Sequence, residues 1–392
     1  MSAALIGDGE RAGSAAVAAT AALAARVGRV RGRMEELGVD VLLLSHGADL
    51  PWLTGYRAMP LERLTLLVLP VSGDPVLVVP GLEAPRVADS NGLFDLLPWS
   101  DADDPIDLVV NLVGQSSTAR LALSDRAWAT TAFALQRRLP EAEWVEASRV
   151  TSPLRAIKDD HEVAALRAAG AAADRVADVL QSGGIPMIGR TEAEVSARIG
   201  SMLISEGHSN VNFAIVGSGP NAASPHHEPG ERVIGREETV VCDFGGTLSL
   251  DGGPGYCSDI TRTVVTGTPT AEVAQCYAVL REAQHAAVAA AVAGVTAESV
   301  DRVARDVIDS ADYGHLFVHR TGHGIGIEEH EDPYLVVGNE TVLVPGHAFS
   351  VEPGIYQPGR FGMRLEDIVV IGADGQPESL NNADHGLVVV DV

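Results

Sequence analysis

Five side chains in the second half of the sequence could hold metal: Asp243, Asp259, His323, Glu352 and Glu366. Four are carboxylates and one is an imidazole. A single Asp or Glu at a strand end usually faces water, but three of these stand in apolar runs: Val-Val-Cys-Asp243-Phe, Phe-Ser-Val-Glu352-Pro and Arg-Leu-Glu366-Asp-Ile-Val. Runs of that texture are normally buried. Carboxylates that converge in one buried pocket repel one another and lose hydration, a cost that cations must offset. Two divalent ions would balance four negative charges. An oxygen-rich set with one imidazole suits Mn²⁺ or Co²⁺, or Zn²⁺ in a catalytic role, better than a thiolate-type structural zinc. Two such ions about 3.5–4 Å apart would lower the pKa of a shared water and set hydroxide against a carbonyl at neutral pH. The chemistry this predicts is hydrolysis.

Histidines not needed as ligands can then serve the reaction. His319-Arg-Thr-Gly-His323-Gly-Ile-Gly-Ile-Glu-Glu-His330 gathers three histidines, two of them besides His323, in a glycine-rich stretch, where bare backbone permits close approach of a substrate. His226 stands ready further upstream, with His227 beside it. One rival ligand remains open: Asp251 lies between Asp243 and Asp259, but in turn sequence, whereas Asp243 ends a hydrophobic strand.

The elements that must position these residues follow from periodicity and punctuation. A chain of 392 residues exceeds the size at which single cores stop growing, and two domains are expected. Short Val/Leu runs at 39–45, 64–70 and 75–79, with helical patches near 27–37 and 127–139, describe a small α/β domain over residues 1–153 that lacks clustered metal-ligand residues. A boundary is expected near Ser152-Pro153, ahead of a long Ala-rich amphipathic helix over 160–180 that begins with acidic residues. Thr191 to Glu194 fits a capping box for a second helix, and Gly207 its stop. Strands are then predicted at 211–217, 239–244 and 260–266, helices at 271–293 and 298–310, and strands at 342–352, 363–371 and 387–392. Strands and helices come in blocks without βαβ alternation, so residues 154–392 read as α+β, with a largely antiparallel sheet and helices on one side.

Composition narrows the partners. The net charge of −25 repels phosphate backbones and anionic lipid, which argues against nucleic acid and membranes. No run is apolar for the roughly 20 residues that a membrane span requires. Three cysteines without Cys-x-x-Cys spacing suggest neither a disulfide framework nor a thiolate zinc site, and a reducing cytoplasm is the expected location. The Ala-rich stretch 14–27 follows Asp8 and Glu10 where a signal peptide needs net positive charge, and reads as a frayed tail leading into a helix.

Taken in order, Asp243-Phe-Gly-Gly, Gly255-Tyr-Cys-Ser-Asp259-Ile-Thr-Arg-Thr, His319-Arg-Thr-Gly-His323-Gly-Ile-Gly, Val351-Glu352-Pro-Gly-Ile-Tyr and Arg364-Leu-Glu366-Asp-Ile resemble the Xaa-Pro peptidase family. This is the group of aminopeptidase P and prolidase, whose pita-bread catalytic fold is shared with methionine aminopeptidase. Gly47-Ala-Asp-Leu-Pro-Trp-Leu-Thr-Gly-Tyr56 and Arg155-Ala-Ile-Lys158 resemble, more loosely, its creatinase-like N-terminal domain. The resemblance implies a dinuclear exopeptidase that hydrolyses Xaa-Pro bonds, in dipeptides or at peptide N-termini, by attack of a metal-bridging hydroxide. Asp243, Asp259, His323, Glu352 and Glu366 would bind two divalent ions, Mn²⁺ foremost with Co²⁺ or Zn²⁺ as alternatives, and Asp259 and Glu366 would bridge. Glu352 would also shuttle the proton. His226 and His330 would hydrogen-bond the scissile group and its oxyanion, and His319 and Arg364 would line the proline and carboxylate side. His226 is preferred to His227 because its separation from Asp243 suits the family pattern. A homodimer acting on proline-containing peptides is implied.

The 15 residues between Asp243 and Asp259 exceed the family's usual number, which could enlarge a hairpin loop beside the site. Two other readings keep the fold: a creatinase-like metal-free C–N hydrolase, and a peptide-binding module that has lost catalysis. Retention of every presumed ligand weighs against both.

Overall fold

The computed structural model describes residues 4–87, 93–114, 118–250 and 253–392. Asp251 lies outside the described residues. The chain divides into two compact units, Met1–Leu154 and Arg155–Val392. The division falls inside a helix, Ser148–Ala156, that runs through the Ser152-Pro153 step. Proline there gives up one backbone hydrogen bond without ending the helix.

The first unit is built on a six-stranded mixed sheet. Its order is Asp95–Trp99, Val76–Pro80, Leu66–Pro70, Val41–Leu44, Arg120–Leu123, Glu143–Glu146, with antiparallel pairing only around Leu66–Pro70. Leu43, Leu66, Val78 and Leu121 pack against Val109 of helix Pro105–Val113 and Leu135 of helix Ala129–Arg138. The expected frayed tail is instead helical: one helix spans Ala4–Leu37. Alanine has the highest helix propensity and no proline interrupts this stretch, so helix outcompetes coil.

Among the described residues, the second unit holds two five-stranded sheets, each backed by a helix pair, and a smaller two-stranded hairpin. One sheet runs Val388–Val389, Ile260–Val265, Thr239–Leu248, Asn210–Ser218, with Tyr256–Cys257 pairing on Thr239–Leu248. Helices Asp160–Gln181 and Glu192–Ser205 cover it through Ala173, Ala177, Leu180, Ile199 and Leu203, packed on Val240, Cys242, Phe244 and Ile260. Both helices open with complete capping boxes, Asp159 with Glu162 and Thr191 with Glu194. The other sheet runs Glu331–Leu335, Gly322–Gly324, Ala348–Val351, Asp367–Ile371, Pro377–Ser379, antiparallel throughout. Helices Ala271–Ala290 and Ala297–Ser310 pack Leu280, Ala283, Val300 and Ala304 against its Phe349, Val351 and Val369.

The strand expected over 363–371 is two strands. Phe361–Arg364 pairs with Gly354–Gln357 in a separate hairpin, and Asp367–Ile371 joins the second sheet. Leu365 and Glu366 make the step between them, where Thr261 and Glu366 form an isolated bridge linking the two sheets. Side-chain hydroxyls enable the crossing: the Arg364 amide donates to Thr263 Oγ1, which donates to the Arg364 carbonyl. Among the described residues no helix is long and apolar enough to cross a membrane.

Candidate metal centre

The five expected ligands all lie on strands of the second unit or directly beside them. Asp243 lies within Thr239–Leu248, in register with Thr261 on the next strand. Asp259 precedes Ile260–Val265, and His323 is central in Gly322–Gly324. Glu352 follows Ala348–Val351, and Glu366 occupies the step just described. Two motif glycines are explained by close approach. A Cβ at Gly322 would lie 1.9 Å from the Ser350 carbonyl oxygen, and one at Gly245 2.1 Å from that of Ser258. No larger residue fits either place without moving a neighbouring strand.

One ligand atom each from Asp259, His323 and Glu366 lies within 4.8 Å of the others. His323 Nε2 is 3.4 Å from Glu352 Oε1 and 3.7 Å from Asp259 Oδ2. The tautomer follows from the other nitrogen: Nδ1 is 3.0 Å from the Gly324 carbonyl, which can only accept, so Nδ1 carries the proton and Nε2 presents its lone pair. Thr261 Oγ1 donates to Glu366 Oε2 at 2.6 Å, and Ser350 Oγ to Glu352 Oε1 at 3.3 Å.

The electrostatics ask for cations. Burial, then the charges of Glu366, Asp243 and Glu352, push the Asp259 carboxyl well above the usual carboxylate range. Burial and the charges of Glu352 and Asp243 do the same to Glu366. Burial, reinforced by Asp243 against the opposing charge of Arg364, raises Glu352 to about 7. Burial, then His330, lowers His323 to about 3, so the imidazole stays neutral and free to ligate. Oδ1 of Asp243 and Oδ1 of Asp259 are buried without a hydrogen-bond partner. Buried carboxylate oxygens without donors, beside a neutral imidazole, fit divalent cations and fit little else.

The remaining expected residues surround this cluster. His319 is held by both nitrogens: Nδ1 donates to the Arg320 carbonyl at 2.7 Å, and Nε2 accepts from Tyr356 OH at 2.9 Å. Its ring edge, rather than a nitrogen, is what it can offer a ligand. Arg364 is buried, and its guanidinium donates inward to Thr261 Oγ1, Tyr356 OH, the Pro225 carbonyl and Asp243 Oδ2. The His330 ring lies 3.9 Å from that of His323, and Arg320 donates to its Nδ1, leaving a proton on Nε2. His227 is tied at 2.7 Å to Glu192, whereas His226 lies near both His319 and His330, whose pKa values are lowered chiefly by burial, with His226 among the lesser causes.

Sequence reasoning left Thr261, Tyr356 and Arg262 without roles, although all three stand in the motifs that it singled out. Tyr356 OH accepts from Arg364 and donates to His319. Arg262, fully buried, donates to the Glu366 carbonyl at 2.6 Å and to Asp367 Oδ1 at 2.8 Å, which fixes the step carrying Glu366. The usable signal was an arginine and two threonines in a strand otherwise made of Ile and Val.

Comparison with known proteins converges on the same region. The sequence profile of metallopeptidase family M24 matches residues 163–373, and that of the creatinase/prolidase N-terminal domain matches residues 26–157. The probable dipeptidase PepE of Mycobacterium tuberculosis is 47% identical over 360 residues, 91% of this chain and 94% of that protein. An Xaa-Pro dipeptidase of Lactobacillus helveticus is 35% identical over 92% of this chain and 97% of its own length. The crystal structure of dipeptidase PepE from Mycobacterium ulcerans superposes with a TM-score of 0.88 at 46% identity, covering 95% of this chain and 99% of that one. The chain therefore belongs to metallopeptidase family M24, with a catalytic unit of the pita-bread fold and an N-terminal domain of the creatinase/prolidase kind.

Proposed function

We propose that this protein is an exopeptidase that hydrolyses Xaa-Pro bonds with two divalent ions, Mn²⁺ foremost, held by Asp243, Asp259, His323, Glu352 and Glu366. The observation that carries the metal assignment is the crowding of buried carboxylates around a neutral imidazole, with orphaned oxygens on Asp243 and Asp259. The relatives named as dipeptidases and Xaa-Pro dipeptidases support the substrate class. Bound there, the ions would supply Lewis acidity, acidifying a water and polarising the scissile carbonyl.

The chain's own groups do the rest. Asp259 and Glu366 would hold the ions from the centre of the cluster, where burial and the other site carboxylates raise both carboxyls and bound cations would offset that cost. Glu352, at the edge of the cluster and 3.4 Å from His323 Nε2, would take a proton from the attacking water and return it to the leaving proline nitrogen. The Nε2–H of His330 and the imidazole of His226 face the scissile group as donors to the developing oxyanion. Arg364 braces Asp243 and Tyr356, and Tyr356 in turn holds His319 as the wall of the proline side. Location in a reducing cytoplasm is supported by Cys242, Cys257 and Cys276, all free and buried. A homodimer completes the proposal and is checked by sizing in solution.

The test is hydrolysis of Ala-Pro and Ala-Pro-Ala by metal-stripped protein, with and without added Mn²⁺, Co²⁺ or Zn²⁺. Metal-restored cleavage is expected, and the preferred length separates dipeptidase from aminopeptidase. Inactivity on both under every metal would sink the proposal.

A further inference from the structure

The motif Arg155-Ala-Ile-Lys158 has no part in the chemistry above, yet both of its charged ends are buried against one carboxylate. Lys158 Nζ donates to Glu331 Oε1 at 2.6 Å, and Arg155 Nη2 to Glu331 Oε2, with a second contact to Glu328 Oε2 at 2.9 Å. The side chains of Lys158, Arg155 and Glu331 are 1%, 8% and 8% exposed. Glu331 follows His330 directly and opens the strand paired with Gly324. Its carboxylate lies beneath the Gly-Ile-Gly turn: a Cβ on Gly326 would come within 2.3 Å of Glu331 Oε1. The cationic side is anchored too, since the Lys158 amide donates to the Gly346 carbonyl at 2.8 Å and Ile157 bridges to His347. The clamp thus joins a fixed backbone to the turn that leads from His323, on the strand Gly322–Gly324, to His330, and the two rings are 3.9 Å apart.

Buried ion pairs stabilise a fold little better than apolar side chains of the same volume, so stability alone gives this triad no rationale. What it does supply is orientation, because two cations from a fixed segment grip both oxygens of one carboxylate. We propose that Glu331, gripped by Arg155 and Lys158, is the positioning residue that sets the turn 324–331 and thereby aims His330 at the scissile group. This rests on the reading of the site as an Xaa-Pro peptidase. A catalytic donor displaced by about 1 Å can lose on the order of a hundredfold in rate while binding changes little.

Glu331→Gln keeps the shape and removes the charge. On Ala-Pro with Mn²⁺, it is expected to lower kcat by about ten- to a hundredfold with KM changed less than about threefold. Hydrogen exchange, read by mass spectrometry with and without Mn²⁺, is expected to quicken over residues 322–332 and nowhere else in the catalytic unit. In a His330→Ala background the same change is expected to cost nothing further, because a residue acting through His330 has nothing left to aim. Additive losses, an unchanged kcat or unchanged local exchange would each overturn the proposal. If Glu331→Gln does not fold, Lys158→Met/Glu331→Gln carries the same expectations, since Arg155 keeps Glu328 and no cation is stranded. Quickened local exchange in a protein whose wild type cleaves no Xaa-Pro substrate would keep the clamp and remove the peptidase reading.

Discussion

The carboxylates at the centre do not all depend on the same support, and that difference can be measured. Glu366 takes a hydrogen bond from Thr261 Oγ1 and sits on a backbone step held by Arg262. Outer contacts of this kind typically contribute about 10–100-fold to metal affinity. Thr261→Val, nearly isosteric, is therefore expected to weaken Mn²⁺ binding by about that factor in a calorimetric titration, and Glu366→Ala by more, with loss of metal from the isolated protein. Equal affinities in wild type and Thr261→Val would show that the hydroxyl is incidental. The gathering of carboxylates with an imidazole and the apolar runs around Asp243, Glu352 and Glu366 were legible in the sequence. The partners of Arg364 were not, because an arginine near a site reads as a substrate clamp until its donors are traced to Asp243 and Tyr356. Protonation adds a second test. Without metal, burial and repulsion raise Asp259 and Glu366, and carry Glu352 to about 7. The folded chain then binds more protons than the unfolded one, so the stability these groups contribute is full at acid pH and is lost as pH rises through neutrality. Cations replace those protons in loaded protein. The melting-temperature gap between loaded and stripped protein is expected to widen from about pH 5 to about pH 8, and a flat gap would contradict the assignment.

Elements carry their own tolerances. Thr191 caps helix Glu192–Ser205 from its exposed end, and Thr191→Ala is expected to cost about 1 kcal/mol in urea unfolding. Gly322 allows no such adjustment, because its Cβ position is 1.9 Å from a backbone oxygen of the adjacent strand. Gly322→Ala is expected to cost about 3 kcal/mol or to prevent folding, and a near-neutral result would mean that the two strands can part without consequence. Buried strands such as Ile260–Val265, and the helix announced by the Thr191–Glu194 capping box, could be read from the sequence because pattern and punctuation agree there. Others could not. Glu143–Glu146 sets charge at both ends of a four-residue strand, and Gly322–Gly324 looks like a loop until its neighbours supply the pairing. The apolar run after Met363 conceals a change of sheet at Glu366, which depends on threonine hydroxyls from a strand about a hundred residues away in sequence.

At the scale of the whole molecule, few aromatics mean that alanine does much of the packing. Helix Asp160–Gln181 buries Ala165, Ala169, Ala172, Ala173 and Ala177, and Gly170 lets the chain at Leu380 pass within 2.8 Å of its Cβ position. Small residues bring helix and sheet close, so density is reached without large side chains. The likeness of residues 154–392 to a known fold was legible because its motifs recur in order along that whole stretch. The long helix Ala4–Leu37 was not, since alanine-rich sequence can read equally as tail, leader or helix.

Lys158 is the only lysine in the sequence, and its side chain is almost wholly enclosed. A lysine-specific protease therefore has a single bond available, lying just past the division between the two units at Leu154 and Arg155. The folded protein is expected to resist it, whereas each opening of the catalytic unit exposes the one cleavable site and yields the same two fragments. Digestion at several protease concentrations would turn this buried amine into a clock for unfolding, with no label and no mutation.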